Sequence, residues 1–449
     1  MNSPLPSAPS PAALEPWPTA ARLVARWLDR HERMDALLDT LPRTLVGAER
    51  ARCQHLVLGV IRHFGRIDRA LGRLISHAPR FQTRAVLLVA GFELIEAAQD
   101  ADDGRVARIV HHAVERAKSL ASPAEARLVN AVVRRLAPLL AQPAPTLNVD
   151  AAELGEYFSH PDWLVRSWLA QFGPEGTRAL LEWNQRPAPI YARWRATSTP
   201  PPAPLQASRW PGFFEIPSGQ WAAVEPLLKS GALYLQDPAT RLPVELLDPK
   251  PGESLLDLCA APGGKSLLLA DHVAAKVPAG TTTSSPAAGR LVAVDLPGAR
   301  LDRLKENLAR ATGLDVALVQ ADLLEPIGPI FREHQLPELY DAVLLDVPCS
   351  NTGVMRHRVD VKWRLQPGDF RKHPAQQLSL LHAAARLVRP GGRLAYSTCS
   401  IDSEENEHVV RRFLAGKAGG PFQLVRTEIS LPWVAGHDGG GAFLLEKSS

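Results

Sequence analysis

Cysteine is scarce in this chain of 449 residues: Cys53, Cys259, Cys349 and Cys399 are the whole supply. Four thiols without paired spacing exclude a disulfide framework and a cysteine-built zinc site, and they fit a reducing cytoplasm. No metal centre is expected. Nor does charge of one sign dominate. The 51 Lys+Arg against 47 Asp+Glu leave a formal net charge of +4, which excludes a polyanionic or polycationic tail protein. Long apolar runs are missing too, since even residues 85–98 are broken by Glu93 and Glu96, and no membrane partner is expected. Residues 1–18, rich in Pro, Ser and Ala, lack the basic and continuously apolar regions of a secretion signal and read as a disordered leader.

What remains is an ordinary globular composition, 45% hydrophobic and 22% charged, in a length suited to about two to four domains. The basic part is the front, with 20 Lys+Arg and 14 Asp+Glu in residues 1–140. Over residues 19–141 apolar side chains recur at helical spacing, as in Leu56, Val60, Ile61, Phe64 and then Ile67, Leu71, Leu74, Ile75, which predicts an all-helical domain. Arg50, Arg52, Arg62, Arg66, Arg69, Arg73, Arg80 and Arg84 fall on it; they would track a phosphate backbone or form a solvated helix face. The Pro-rich stretch 142–146 marks a boundary. Residues 142–248 read as a connector with a small subdomain, helical around Trp163, Trp168 and Trp183 and broken again by the prolines of 197–204.

From residue 249 to 449 short apolar runs alternate with helical patterns, which predicts βαβ units and a parallel sheet. The expected strands are 254–258, 290–294, 317–320, 341–345 and 393–397, with a flexible insertion at 274–289. Ligands of such sheets sit at the carboxyl ends of strands, so Cys259–Lys265, Asp295, Asp322, 346–353 and 398–400 would converge on one crevice. The turn Cys259-Ala260-Ala261-Pro262-Gly263-Gly264-Lys265 follows a strand and opens a helix, where glycines let a ligand approach backbone amides. A phosphate-binding loop would need Gly at 259, and no Gly-x-Gly-x-x-Gly occurs, so nucleotide hydrolysis and dinucleotide binding lose ground. Asp295 would accept from both hydroxyls of a ribose, and Asp322 from an exocyclic amine. Singly, either is more often a cap or turn residue; together, beside a Gly-rich loop, they favour an adenosyl ligand.

Two thiols end adjacent runs, Cys349 in Asp346-Val-Pro-Cys-Ser-Asn-Thr-Gly353 and Cys399 in Thr398-Cys-Ser400, whereas Cys53 reads as a small core residue. Carbon 5 of cytosine is too weak a nucleophile to take a sulfonium methyl group unless a thiolate first adds at carbon 6. The proton on carbon 5 must then leave before the thiolate is expelled, so a second acid/base group helps. A carboxylate at Asp346 would stabilise protonation at nitrogen 3, which assigns work to Asp346, Cys349 and Cys399 together. Arg356, Lys362 and Trp363, in a basic stretch, suit a single-stranded nucleic acid or form a surface loop with Trp363 in the core.

In these residues the chain resembles the Nol/Nop/Sun-type RNA cytosine-5 methyltransferases. The matching segments are Leu255-Leu-Asp-Leu-Cys-Ala-Ala-Pro-Gly-Gly-Lys265, Ala293-Val-Asp295, Leu345-Asp-Val-Pro-Cys-Ser-Asn-Thr-Gly353 and Tyr396-Ser-Thr-Cys-Ser400, followed by Glu404-Glu-Asn406. Residues 60–68, Asn130-Ala-Val-Val-Arg-Arg135 and His160-Pro-Asp-Trp-Leu164 are similar to the NusB-like RNA-binding domain and connector of the family's B-type members. The resemblance implies a Rossmann-like methyltransferase domain, α/β with a mostly parallel seven-stranded sheet, preceded by an all-α NusB-like domain. It implies S-adenosylmethionine as cofactor, bound by Cys259–Lys265, Asp295, Asp322 and Asp346, with Cys399 as nucleophile and Cys349 as the thiol that assists product release. It further implies small-subunit ribosomal RNA as the substrate, and the enzyme is expected to be cytoplasmic and monomeric. Its rivals are methylation of transfer RNA, a DNA methyltransferase using Cys349, and a noncatalytic RNA-binding assembly factor. Where the family has an aromatic pair near the C-terminus this chain has Gly440 and Gly441, which predicts a looser final hairpin. Arg356-His-Arg-Val-Asp-Val-Lys-Trp363 also departs from the family pattern, and Leu296-Pro297 leaves ribose binding to Asp295 alone.

Overall fold

Strand β5 (Ser254–Leu258) shows how the sequence builds the larger layer. Leu255, Leu256 and Leu258 are all fully buried, the near-continuous apolar run of a strand covered on both faces. Alternation divides them: Leu256 and Leu258 join one core with Val292, Val294, Val343 and Leu345, while Leu255 joins another with Leu291, Leu344 and Ala395. The structure, a computed structural model, describes residues 15–98, 104–146, 150–196, 198–276 and 289–449. Most of the expected leader and of the expected insertion lies outside them.

The chain forms two compact units, residues 1–185 with 362–364, and residues 186–361 with 365–449. The first is all helical: α1 (Pro16–Arg30), α2 (Met34–Asp39), α3 (Gly47–Gly72), α4 (Phe81–Ala97), α5 (Arg105–Leu120), α6 (Pro123–Leu140), α7 (Ala151–Tyr157) and α8 (Asp162–Gln185). Gly173, at φ +69°, and Pro174 interrupt α8. Helix α1 takes in the last three residues of the expected leader, with Trp17 and Pro18 buried. The first unit runs on past the expected boundary at 141/142 to residue 185 because α7 and α8 are tied to α3. Ser159 Oγ accepts from Gly65 N at 2.7 Å, and Arg69 reaches Ala152 O at 3.1 Å and Asp162 at 2.6 Å.

The arginine stripe is largely committed inside this unit. Arg52 pairs with Glu93, Arg69 with Asp162, Arg73 with Glu156, Arg80 with Glu125 and Arg84 with Asp68. Arg66 donates to Leu140 O and stacks 3.9 Å from the Tyr157 ring centroid. Ion pairing and cation–π contact therefore account for most of these cations without a phosphate backbone.

The second unit opens with a four-stranded antiparallel sheet that the sequence did not predict: β1 (Ile190–Trp194), β2 (Gln206–Ala207), β3 (Phe213–Ile216) and β4 (Leu233–Leu235), in the order β2-β3-β1-β4. Helix α9 (Trp221–Ser230) accompanies it, and α10 (Arg241–Leu247) puts Val244, Leu246 and Leu247 into a core of the larger sheet. Then follow β5, α11 (Gly264–Ala274), β6 (Arg290–Asp295), α12 (Leu301–Leu308), β7 (Asp315–Gln320), α13 (Gly328–Glu333), β8 (Tyr340–Asp346), α14 (Asp369–Ala385), β9 (Val388–Thr398), α15 (Glu407–Leu414), β10 (Phe422–Ser430) and β11 (Gly440–Lys447). The seven-stranded order is β10-β11-β9-β8-β5-β6-β7, parallel except for β11 against β9 and β10. Chain order reverses beside β5, so the crevice falls outside the carboxyl ends of β5 and β8. The final hairpin is not loose. Gly440 and Gly441 pair with Ser430 and Ile429, and a Cβ there would lie 2.4 Å from Thr398 O and 2.2 Å from Asn406 Oδ1. The glycines admit a close approach of backbone to the site. Among the described residues no helix is long and apolar enough to cross a membrane.

Candidate active site

The turn after β5 is held by its own glycine and by a neighbouring helix. Gly263 has φ +98°, and a Cβ on it would sit 2.9 Å from Leu304 Cδ1 on α12. Asn307, also on α12, donates to Pro262 O at 2.7 Å and to Tyr234 Oη at 3.0 Å. Cys259 adopts φ +60° without being glycine, a strained position of the kind that gathers at functional sites. Its thiol is pushed far above the ordinary range by burial and then by Asp295, Asp346 and Asp257, so it is inert as a nucleophile.

Three carboxylates surround this turn. Asp295, at the end of β6, is buried and accepts from Ala261 N and Leu296 N, both at 2.8 Å. Asp257 lies inside β5, fully buried; Ser266 Oγ donates to its Oδ2, and Oδ1 has no hydrogen-bond partner. Burial pushes its carboxyl up to about 7. Asp346, at the end of β8, accepts from Lys265 Nζ at 2.8 Å through Oδ2 and from Ser397 Oγ at 2.7 Å through Oδ1. Burial would pull the Lys265 ammonium down, but the Asp346 charge and hydrogen bond, with Cys399 and Asp257, hold it above its ordinary range. Asp322 is further along β7's exit, exposed, with Oδ1 accepting from Leu324 N at 2.9 Å as in a turn.

The two thiols meet. Cys349 Sγ lies 2.8 Å from Cys399 Sγ, and the Cys399 thiol donates to Asn351 Oδ1 at 3.2 Å. Asn351, at φ +63°, also donates from Nδ2 to Cys349 O at 2.8 Å. The two loops are stitched together beneath: Gly353 N donates to Cys399 O at 3.0 Å, Gly439 N to Gly353 O at 2.8 Å, and Thr352 Oγ1 to Asp402 Oδ2. Asn406 Nδ2 holds Ser400 O at 2.9 Å, and its Oδ1 accepts from Thr398 Oγ1 at 2.8 Å. Sequence reasoning missed the Lys265–Asp346 pair and Asn351; Glu405 and Asn406 were visible only as part of a motif.

The three residues expected to contact RNA each donate to a main-chain carbonyl in this structure. Arg356 donates to Pro187 O at 2.6 Å. Lys362 is 2% exposed and donates to Arg62 O at 2.9 Å, and Trp363 Nε1 donates to Ile61 O at 2.8 Å while its ring packs on Phe64. Buried donors without partners are costly, and carbonyls of α3 satisfy those of Lys362 and Trp363. Elsewhere in the second unit Asp237, His357 and Asp438 bring ligand-type atoms within 4.8 Å of one another, but His357 Nδ1 bonds Asp438 Oδ1 at 2.8 Å and Asp438 N bonds Asp237 Oδ1 at 3.1 Å, so the cluster acts as a brace.

Comparison with known proteins joins this geometry to a family. Residues 244–432 match the family model described as 16S rRNA methyltransferase RsmB/F, and residues 18–138 match the NusB family. Ribosomal RNA small subunit methyltransferase B of Thermus thermophilus is 32% identical over 392 residues, covering 86% of this chain and 84% of that one. The chain belongs to the RsmB family of methyltransferases. The family's Sodalis glossinidius member is 31% identical and covers 88% of both chains. The fold is shared with the crystal structure of NSun6 from Pyrococcus horikoshii with SFG, at a TM-score of 0.52 and 18% identity, over 64% of this chain and 98% of that one. The family fold implies S-adenosylmethionine, and the residues present fit it. A glycine turn opens α11, and the buried Asp295 oxygens, each with one hydrogen bond, retain acceptor capacity for a diol.

Proposed function

We propose that this enzyme methylates carbon 5 of a cytidine in small-subunit ribosomal RNA through a covalent adduct on Cys399. The observation that carries the reading is the pair of thiols 2.8 Å apart at the ends of adjacent parallel strands, beside the Lys265–Asp346 pair. A single thiol would serve many chemistries; two within reach of one another suit an addition followed by an elimination. The ribosomal substrate is taken from the relatives' names, and the cytoplasm is the compartment that such a substrate requires.

S-adenosylmethionine would supply an electrophilic methyl group, held by Cys259–Lys265, with Asp295 on the ribose, Asp322 toward the adenine and Asp346 bordering the methyl. Cys399 adds to carbon 6 of the ring, its proton passing by way of the Asp346 carboxylate to nitrogen 3, where Asp346 then accepts a hydrogen bond from it. Lys265 and Ser397 keep that carboxylate oriented. Carbon 5, now enamine-like, takes the methyl. In the release step the bond from carbon 5 to its proton breaks, the double bond to carbon 6 re-forms, and the Cys399 sulfur departs with the bonding electrons. Cys349 hands its proton to that sulfur and accepts the one from carbon 5, ending as it began, while nitrogen 3 gives its proton up through Asp346 to solvent, the one proton released for each methyl transferred.

The test is trapping with RNA containing 5-fluorocytidine and S-adenosylmethionine, because fluorine cannot leave as a cation. An adduct that survives denaturation in the unsubstituted enzyme and in Cys349→Ala, but is lost in Cys399→Ala, is the expected result. Absence of any adduct and of labelled 5-methylcytidine, in folded protein, would sink the reading.

A further inference from the structure

The surroundings of the two thiols differ. Cys399 is half-buried and directs its proton at Asn351. Cys349 is buried, and the turn Pro348–Ser350 rests on Glu405, a carboxylate with 0% exposure. Glu405 Oε2 accepts from Ser350 N at 3.0 Å and from Gln377 Nε2 at 2.7 Å, and the same Gln377 nitrogen donates to Pro348 O at 3.0 Å. Tyr396 Oη pins the Glu405 main-chain carbonyl at 2.7 Å. Glu405 Oε1 is buried without a hydrogen-bond partner. The side chain thus meets two neutral donors and, among the described residues, no cation, so its charge is weakly compensated where the local dielectric is low.

We propose that Glu405 is the positioning residue that separates the roles of the two thiols: its buried carboxylate holds the Cys349 turn from beneath and opposes negative charge on that sulfur, so that attack falls to Cys399. The Cys349 thiol is held well above its ordinary range by the hydrogen bond with Cys399, then by burial, then by the charges of Cys399 and Glu405. Once Cys399 is a thioether on the base, its charge no longer acts and its sulfur remains only as a weak acceptor. Burial and Glu405 remain, and they keep a proton on Cys349 until the departing sulfur needs it.

The inference rests on the covalent mechanism above, and a measurement without RNA tests it separately. In a Cys399→Ala protein, iodoacetamide uptake at Cys349, followed by mass spectrometry from pH 6 to 10, reports on that thiol alone. Glu405→Gln keeps an acceptor oxygen for Ser350 N and removes the charge. Uptake at pH 8 should rise roughly 3- to 10-fold with the curve displaced to lower pH, and Glu405→Asp, which retains the charge, should return most of the displacement. An unchanged pH curve in a Glu405→Gln variant with parental circular dichroism overturns the proposal, as does a displacement equally large in Glu405→Asp. Should Glu405→Gln fail to fold, the unsubstituted chain decides: Cys399 must be alkylated on the order of 10-fold faster than Cys349 at pH 8, and equal uptake overturns it.

Discussion

Asp257 is the least comfortable residue of the site. It occupies a buried position among the three leucines of its strand, with one oxygen bonded to Ser266 and the other unpartnered. Burial raises its carboxyl to about 7, whereas an unfolded aspartate titrates near ~3.9. The folded chain therefore holds a proton that the unfolded chain releases. The stabilising contribution is complete below the unfolded value and is lost as pH rises toward about 7. Asp257→Asn should flatten this slope, so its melting temperature should fall less between pH 5 and pH 8 than the parent's. Calorimetry at the two pH values checks it. A parallel fall in both proteins would mean that Asp257 is ionised at both.

At the scale of elements, the site is a junction of loops, and its tolerances are those of backbone contact. A Cβ at Gly353 would lie 2.3 Å from Gly439 O and 2.9 Å from Cys399 O, so Gly353→Ala must push apart the loops that carry the two thiols. We expect a loss of about 1–3 kcal/mol in urea unfolding and a drop in adduct yield larger than the drop in folded protein. The small sheet is joined to α11 by charge. Arg193 and Arg195 on and beside β1 both pair with Asp271, at side-chain exposures of 7%, 9% and 19%. Removing one partner of a buried network leaves the others uncompensated, so Asp271→Ala should cost on the order of 3–5 kcal/mol by chemical denaturation. A cost below about 1 kcal/mol would show that water reaches these arginines. The missed sheet itself has a physical explanation: its strands have two to five residues, too short for alternation to separate them from loop.

At the scale of the whole molecule, residues 362–364 belong to the helical unit although they lie far along the chain. Trp363 packs on Phe64, and a Cβ at Gly65 would come within 2.7 Å of its ring. Trp363→Ala should therefore destabilise the helical unit by about 3 kcal/mol, read as faster amide exchange in α3. Acid should act on the same unit. His63 and His160 are held well below the ordinary histidine range, His63 by burial and then by Arg62, Lys362 and Arg66, and His160 by burial and then by Lys362. Their depressed folded values mean stability present above about 6.5 and lost as pH falls below it. Amide exchange at pH 5 against pH 7.5 should speed up in α3 and α7 and not in β5; equal acceleration in both would refute the assignment.

Much of this was legible in order along the chain. Period-3.6 spacing announced the helices, and apolar runs ending in Cys259–Lys265, Asp346–Gly353 and Thr398–Ser400 announced the parallel strands, because buried parallel strands are locally apolar and their ligand ends are locally polar. The charged side chains were not legible, since a cation's partner is set by what packs opposite it. Arg80 has Glu125 across from it, and Lys362 has the carbonyl of Arg62; neither could be told from a phosphate contact by sequence alone. The same holds for the two thiols. Sequence placed Cys349 and Cys399 at one sheet edge through strand periodicity, a local property. That the sulfurs lie 2.8 Å apart, with Asn351 against one and Glu405 beneath the other, followed only from the parallel pairing of β8 with β9, which brings loops 50 residues apart into contact.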